Sequence, residues 1–487
     1  MELGRDSVIA VVGAGAMGTG IAQVAAQAGH RVTVIDSAEA ALERSAQMVA
    51  RRLQRLVERG KCDNAEAQAL LGRMTWSASL DSAATADLLI EAIVEDAAVK
   101  AALFAKLETL VSPGAVLATN TSSLSIAMLT KTLRHPGRFA GLHFFNPVPA
   151  MKLVEVVPGP QTDQSLGPAL LALMNAWGKR GVLVRDVPGF IVNRVARPYY
   201  AEGFAALSEG VSAAAIDRTL VACGGFRMGP LALADMIGHD VNYAVATSVF
   251  EAYEGNTRFR PQSAQATLAE GGRLGRKSGA GVYDYAQELP EPDYIRPGDA
   301  LPERLFIATE VGELGTLVDL VDVAGIDMQR DPALAPGTMR VEDVVMAFGD
   351  GRLLSSRSGI DVLIDHARNL AEAPVLAVTA RSDAAASVAA GLAAIMSKQA
   401  IALPDRPGQL ALRTLAQLAN AAADAVIDDV ASSEDIDAAM VAGANHPEGP
   451  LAWADRFGHS QVATALCNIA EASADAMYLP SPFFGER

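Results

Sequence analysis

His143 lies in a stretch of apolar residues, GLHFFNPVPAMKLVEVV (Gly141–Val157), and a single carboxylate, Glu155, follows twelve residues later. A histidine that exchanges its proton near neutral pH, beside a carboxylate that fixes its tautomer, can act as a general acid or base. A core histidine with both ring nitrogens satisfied by backbone is the other reading, and the stretch alone does not separate the two. A second group of residues stands near the N-terminus. Gly13, Gly15 and Gly18, with Ala14, Ala16 and Met17 between them, follow the apolar run SVIAVV and open a stretch of helical spacing, and Asp36 closes the next apolar run, RVTVID. Strand, Gly-x-Gly-x-x-Gly, helix, strand and acid is the order of a dinucleotide site. In that pattern Gly13 permits the tight turn, Gly15 lets a pyrophosphate reach the backbone, and Gly18 lets the helix pack on the strand. The helix N-terminus offers free N–H groups to the phosphates. Asp36 would accept from an adenosine ribose and repel a 2′-phosphate, so NAD is expected rather than NADP.

These residues need a scaffold. Further strand-like runs are MTWSAS, DLLIEAIVED, AVLATNTSS, FAGLHFF, KLVEVV and GVLVRDV, most of them separated by helical stretches. That alternation predicts a doubly wound, mostly parallel sheet, whose ligands bind beyond the carboxyl ends of the strands. Glu95 with Lys100, Thr121 with Ser122, and His143 with Asn146 fall at those ends. A polar residue leaving a buried strand on the cofactor's side is well placed for chemistry. Residues 38–72 read as a long helix followed by a second helical piece; the first part carries Arg44, Arg51, Arg52, Arg55, Arg59 and Lys61. A solvated face and a patch for a phosphate-bearing substrate are both readings of that run.

The 487 residues are 50% hydrophobic with a net charge of −16, which predicts packed domains and argues against nucleic acid or an anionic membrane surface as partner. Three scattered cysteines fit reduced thiols. No metal-ligand spacing, signal peptide or membrane-length apolar run is evident, so no metal is expected, and a cytoplasmic setting is.

The blocks GAGAMGTGIAQVAAQAGHRVTVID, IEAIVED, ATNTSSLSI, GRFAGLHFFNPVPAMKLVEVV, DVPGFIVNRV and GRLGRKSGAGVYDY occur in order over residues 7–285. Together they resemble the NAD-dependent L-3-hydroxyacyl-CoA dehydrogenases. The resemblance implies that NAD oxidises an (S)-3-hydroxyacyl-CoA thioester reversibly at C3. It implies that His143 is the general base, that Glu155 orients its ring, and that Ser122 and Asn193 hold the substrate oxygens. Asp36, Glu95, Lys100, Ser122, Asn146 and Lys277 match cofactor contacts by the same comparison. Arg52 and Arg59 fall at positions matching coenzyme A contacts, although their residue types depart from the family pattern.

An internal repeat follows. AIDRTL and GPLALADMIGH (Ala215–His239) return as DIDAAM and GPLAWADRFGH (Asp435–His459), and DVPGFIVNR (Asp186–Arg194) returns as DRPGQLALR (Asp405–Arg413). Leu412 replaces Asn193 in the copy, and the strand-like APVLAVTARSD (Ala373–Asp383) has no glutamate to match Glu155. The expected fold is an α/β Rossmann-type doubly wound sheet, an all-α C-terminal domain, and a second degenerate copy of the helical domain. The divisions are 1–185 for NAD binding, 186–285 helical, 286–404 a linker with a degenerate, partial α/β segment, and 405–487 the helical copy, giving one active site per chain. In single-copy relatives the resemblance implies dimerisation through the helical domain. The fused copy is expected to replace part of that contact, with a homodimer of the whole chain left open. The long form resembles enzymes of phenylacetate breakdown acting on 3-hydroxyadipyl-CoA, with 3-hydroxybutyryl-CoA the competing substrate. A dicarboxylic chain needs a partner for its distal carboxylate; Arg194 and Arg197 follow Asn193, and helix phase does not choose between them. A β-hydroxyacid dehydrogenase without coenzyme A and a non-catalytic NAD-binding protein are the other readings. The joint presence of His143, Glu155, Ser122 and Asn193 disfavours the latter.

Overall fold

In a computed structural model, which describes residues 3–298 and 301–485, the chain builds two eight-stranded sheets. The first contains β1 (Ile9–Val12), β2 (Val32–Ile35), β3 (Met74–Ser77), β4 (Leu88–Glu91), β5 (Val116–Thr119), β6 (Phe139–Phe144), β7 (Leu153–Pro158) and β8 (Arg180–Leu183). Their order is β3-β2-β1-β4-β5-β6-β7-β8, parallel throughout except for the β6–β7 pair. β1, β4, β5 and β6 are buried along their whole length. That is why they read as continuous apolar runs rather than as alternating ones. The strands are shorter than the sequence runs: β4 ends at Glu91, and the residues up to Asp96 turn out of the sheet. The sequence reverses direction between β1 and β4, and there the carboxyl ends of the strands open a crevice.

The second sheet contains β9 (Tyr294–Ile295), β10 (Arg304–Ile307), β11 (Asp327–Arg330), β12 (Thr338–Val341), β13 (Val344–Phe348), β14 (Val362–Ile364), β15 (Val375–Ala380) and β16 (Gln399–Ala402), in the order β11-β10-β12-β13-β14-β15-β16-β9. The segment expected to be a partial remnant thus carries as many strands as the first sheet, with a core of its own that includes Leu305, Met339, Val362, Leu376 and Leu392. Four of its seven strand pairs are antiparallel. With no glycine fingerprint and few strand–helix–strand alternations, it left a weak sequence signal.

By compactness, one unit runs to Val192 and takes in residues 428–444; the other holds 193–427 and 445 onward. The helical copy expected at 405–487 is therefore shared between the two. Its helix Ser433–Gly443 packs on β7 and β8, and the Arg185 N–H donates to the Val430 carbonyl at 2.9 Å. Gly443 is needed there, since a Cβ would come 2.4 Å from Leu153 Cδ2 and 3.1 Å from Val192 Cγ2. Conversely, the first copy's helix Ala213–Ala222 packs on β15 and β16. Each helical copy lends one helix to the sheet of the other.

Candidate active site

His143 and Glu155 come together because of strand register. The antiparallel pairing of β6 with β7 sets the two residues directly opposite each other. His143 Nδ1 and Glu155 Oε2 are 2.5 Å apart, with the histidine side chain 7% exposed and the glutamate fully buried. A carboxylate accepts only, so Nδ1 carries a proton, and in the neutral ring the lone pair is then on Nε2. The other glutamate oxygen, Oε1, accepts from the Ile191 and Val192 N–H groups at 2.9 and 3.1 Å. Glu155 is thus fixed from both sides. Phe145 and Phe190 flank the imidazole, with ring centroids 4.4 and 5.7 Å away. Asn120 holds the strand end, accepting from the Phe144 N–H at 2.9 Å.

The glycine turn sits between β1 and the helix Ala16–Gln27. Gly13 has φ +110°, and a Cβ on it would lie 2.4 Å from the Ala92 carbonyl oxygen. On Gly18 a Cβ would strike the Gly13 carbonyl, while on Gly15 it would meet no protein atom within 4 Å. The space above Gly15 therefore fits a group that approaches the backbone closely, as a dinucleotide pyrophosphate must. Ala14, Ala16 and Met17 belong to this turn and the first helical residues. Asp36 braces it from β2, accepting from the Ala14 N–H at 2.8 Å and from the Ala38 N–H at 2.9 Å.

At the end of β4 stands a further charged residue, one that no motif marks. Glu91 is fully buried and accepts from Lys100 Nζ (2.6 Å), Thr119 Oγ1 (2.6 Å) and the Ile93 N–H (2.7 Å). Lys100, 1% exposed, also reaches Glu95 at 3.1 Å. Its ammonium is engaged by carboxylates on two sides, so Lys100 neutralises Glu91 and holds Glu95. A glutamate inside an apolar strand with a lysine nine residues on was the available signal. Glu95 Oε1 gathers the Thr121 hydroxyl (2.5 Å) and the Ser122 N–H (2.9 Å), fixing the loop that carries Ser122. Burial pushes the Glu95 carboxyl up, but the Thr121 hydroxyl, the Lys100 charge and the Ser122 N–H outweigh it and hold the group below its ordinary range. Asn146 is exposed just beyond β6.

The remaining expected residues lie on other elements. Arg52 is half-buried, 3.4 Å from Gln23 Oε1, whereas Arg59 is exposed at the end of the helix Glu39–Glu58. That helix buries Leu42, Ser45, Val49 and Leu53, and leaves Arg44, Arg51 and Arg55 in solvent. Asn193 and Lys277 belong to the second unit, where Lys277 is paired with Asp240 at 2.5 Å.

Residues 8–187 match the family described as 3-hydroxyacyl-CoA dehydrogenase, NAD binding domain, and residues 189–285 and 408–486 both match its C-terminal domain. The chain belongs to the 3-hydroxyacyl-CoA dehydrogenase family. It is 39% identical over 480 residues to the 3-hydroxyadipyl-CoA dehydrogenase of Escherichia coli K12, spanning 98% of this chain and 97% of that one. The crystal structure of 3-hydroxybutyryl-CoA dehydrogenase from E. coli K12 superposes with a TM-score of 0.89 at 38% identity, covering 98% of this chain and 97% of that one. The (S)-3-hydroxybutyryl-CoA dehydrogenase structure from Ralstonia eutropha, 37% identical, covers 58% of this chain and all of its own, with a TM-score of 0.56. This dehydrogenase is an NAD-dependent oxidoreductase of 3-hydroxyacyl-CoA thioesters, with a Rossmann-type domain and a duplicated C-terminal domain. Among the described residues no helix is long and apolar enough to cross a membrane, and no cluster of three metal-ligating side chains occurs.

In the second sheet the paired strands β14 and β15 bring no histidine opposite a glutamate. Asp365, just past β14, bonds through its N–H to the Ala377 carbonyl of β15 at 2.8 Å. The Asp365 carboxylate accepts from the Leu410, Ala411 and Leu412 N–H groups at the start of the helix Ala411–Ile427.

Proposed function

We propose that this dehydrogenase oxidises (S)-3-hydroxyadipyl-CoA to its 3-oxo thioester, with His143 as base. The observation that carries the catalytic assignment is the His143–Glu155 contact at 2.5 Å, doubly anchored through Glu155. The glycine turn and Asp36 would hold NAD, whose nicotinamide would supply the acceptor for the hydride from C3. His143 Nε2 takes the 3-hydroxyl proton, and Glu155 holds the ring in the productive tautomer and balances the imidazolium as it forms. Ser122 and Asn193 hold the substrate oxygens. Gly13–Gly18, Asp36, Glu95, Lys100, Ser122, Asn146 and Lys277 bind the cofactor; Arg52 and Arg59 meet coenzyme A. The dicarboxylic substrate is supported by the name of the E. coli relative, alike over 98% of this chain.

A second reading, 3-hydroxybutyryl-CoA, is supported by the name of the full-length E. coli structure. Steady-state NADH formation with 3-hydroxybutyryl-CoA, a medium-chain 3-hydroxyacyl-CoA and 3-hydroxyadipyl-CoA separates the two. The highest kcat/KM is expected for the adipyl substrate and should be lost in His143→Ala; a higher value for the butyryl substrate refutes the assignment. We further infer a cytoplasmic enzyme, in keeping with three free cysteines. Its helix Ser433–Gly443 would take the place of a contact that a second chain supplies in single-copy relatives. Sedimentation of the full chain against residues 1–285 tests this: equal association states would refute it.

A further inference from the structure

The short helix Val192–Val195 leads into Arg197–Ser208, and Arg194 and Arg197 have different fates in it. Arg194 is 2% exposed and committed: it donates to the Tyr253 hydroxyl at 3.0 Å and lies over the Tyr253 and Phe259 rings at 5.0 and 5.7 Å. Arg197 is 8% exposed, lies over Tyr200 at 5.1 Å, and has no ion-pair partner among the described residues. Its Nε and Nη1 are buried without any hydrogen-bond acceptor. A buried guanidinium left in this state is costly unless something else supplies the acceptor.

Arg197 lines a cavity of about 20 Å³ together with Tyr200, Asn242, Arg258, Arg260 and Gln265, and no carboxylate stands among its lining residues. That volume admits one small polar group. Arg258 and Arg260 are already paired, with Asp424 at 2.9 Å and with Asp475. Asn242 is itself engaged, accepting from Gln265 Nε2 at 2.9 Å. Arg197 is thus the cavity's uncommitted cation.

We propose that this cavity receives the terminal carboxylate of the acyl chain, and that Arg197 selects dicarboxylic over monocarboxylic 3-hydroxyacyl-CoA. The proposal rests on the substrate class proposed above and on Asn193 meeting the oxygen at C3. Residues 193 and 197 are four apart in helical conformation, an axial rise of about 6 Å. In a six-carbon chain the terminal carboxylate carbon lies three bonds beyond C3, about 3.8 Å when extended, and its oxygens lie about 1 Å farther. The next helical turn is where a receptor for that carboxylate belongs, and guanidinium is the group that recognises it best.

The test compares kcat/KM for 3-hydroxyadipyl-CoA and 3-hydroxyhexanoyl-CoA, chains of equal length differing in the terminal group, in the full-length enzyme, Arg197→Met and Arg197→Lys. The adipyl-to-hexanoyl ratio is expected to fall about 10- to 100-fold in Arg197→Met, mainly through KM for the adipyl substrate, and less in Arg197→Lys. An unchanged ratio, or equal loss on both substrates, overturns the assignment. If Arg197→Met does not fold, the Arg197→Lys ratio decides: a fall supports the receptor, an unchanged value overturns it. A wild-type enzyme that oxidises the hexanoyl substrate without any adipyl preference overturns the substrate reading and the receptor together. A preference that survives in Arg197→Met overturns the receptor alone.

Discussion

Glu155→Gln tests the catalytic pair most directly, because it changes charge and proton pattern while keeping shape. In the native site Oε1 accepts two backbone N–H groups and Oε2 accepts from His143 Nδ1. Glutamine has one oxygen. The two N–H donors at 2.9 and 3.1 Å hold it on their side, so the NH2 group must face His143. An amide NH2 donates and cannot accept, which forces Nδ1 to become the acceptor and moves the ring proton to Nε2. The imidazole then has no lone pair for the 3-hydroxyl proton and no carboxylate to balance its positive charge. A positioned general base contributes about 10²- to 10⁴-fold, and a misdirected tautomer in a histidine–carboxylate pair has an effect of about 10⁴ elsewhere. The expected outcome is a kcat about 10²- to 10⁴-fold lower, with NAD affinity unchanged by titration. Because the two groups act as a unit, adding Glu155→Gln to His143→Ala should cost little further activity. A kcat within about threefold of wild type, or losses that multiply in the double variant, would refute the reasoning.

Lys100→Met strands the buried Glu91 carboxylate and is expected to cost about 3–5 kcal/mol, a Tm drop of roughly 10 °C by calorimetry. Adding Glu91→Gln should recover part of it, and an unchanged Tm would contradict the assigned role. Gly443→Leu drives a side chain against Leu153 and Val192, costing about 1–3 kcal/mol. Because the Val192 N–H anchors Glu155, kcat should fall with Tm; a fall in neither would detach the second copy from the catalytic sheet. His446 is buried against Tyr199 and Phe226, and burial pushes its pKa down to about 4. Unfolding therefore takes up a proton between about pH 4 and 6.5, and the stability His446 contributes is complete above that window and lost as pH falls through it. In His446→Phe the slope of unfolding free energy against pH should be shallower there by up to about 1.4 kcal/mol per pH unit; identical slopes in denaturant titrations would refute it.

The sequence by itself determined the first sheet and its chemistry. Fully buried parallel strands must be apolar throughout, and a phosphate-binding turn must have glycine where a side chain would strike backbone, as at Gly13 and Gly18. The lone histidine and glutamate were visible for the same reason, as polar residues in runs that otherwise tolerate none. Their 2.5 Å contact was not. It depends on the register of β6 against β7, and register is a property of two strands, not of either. Tertiary structure alone decided four matters. It turned Lys100 towards Glu91, separated Arg194 from Arg197, built eight strands from a segment with weak local signals, and set the helix Ser433–Gly443 on β7 and β8. In each case the outcome depends on which group from a distant part of the chain arrives as neighbour. Local spacing carries no record of that neighbour, because burial and pairing energies are assigned only when the chain has closed around the residue.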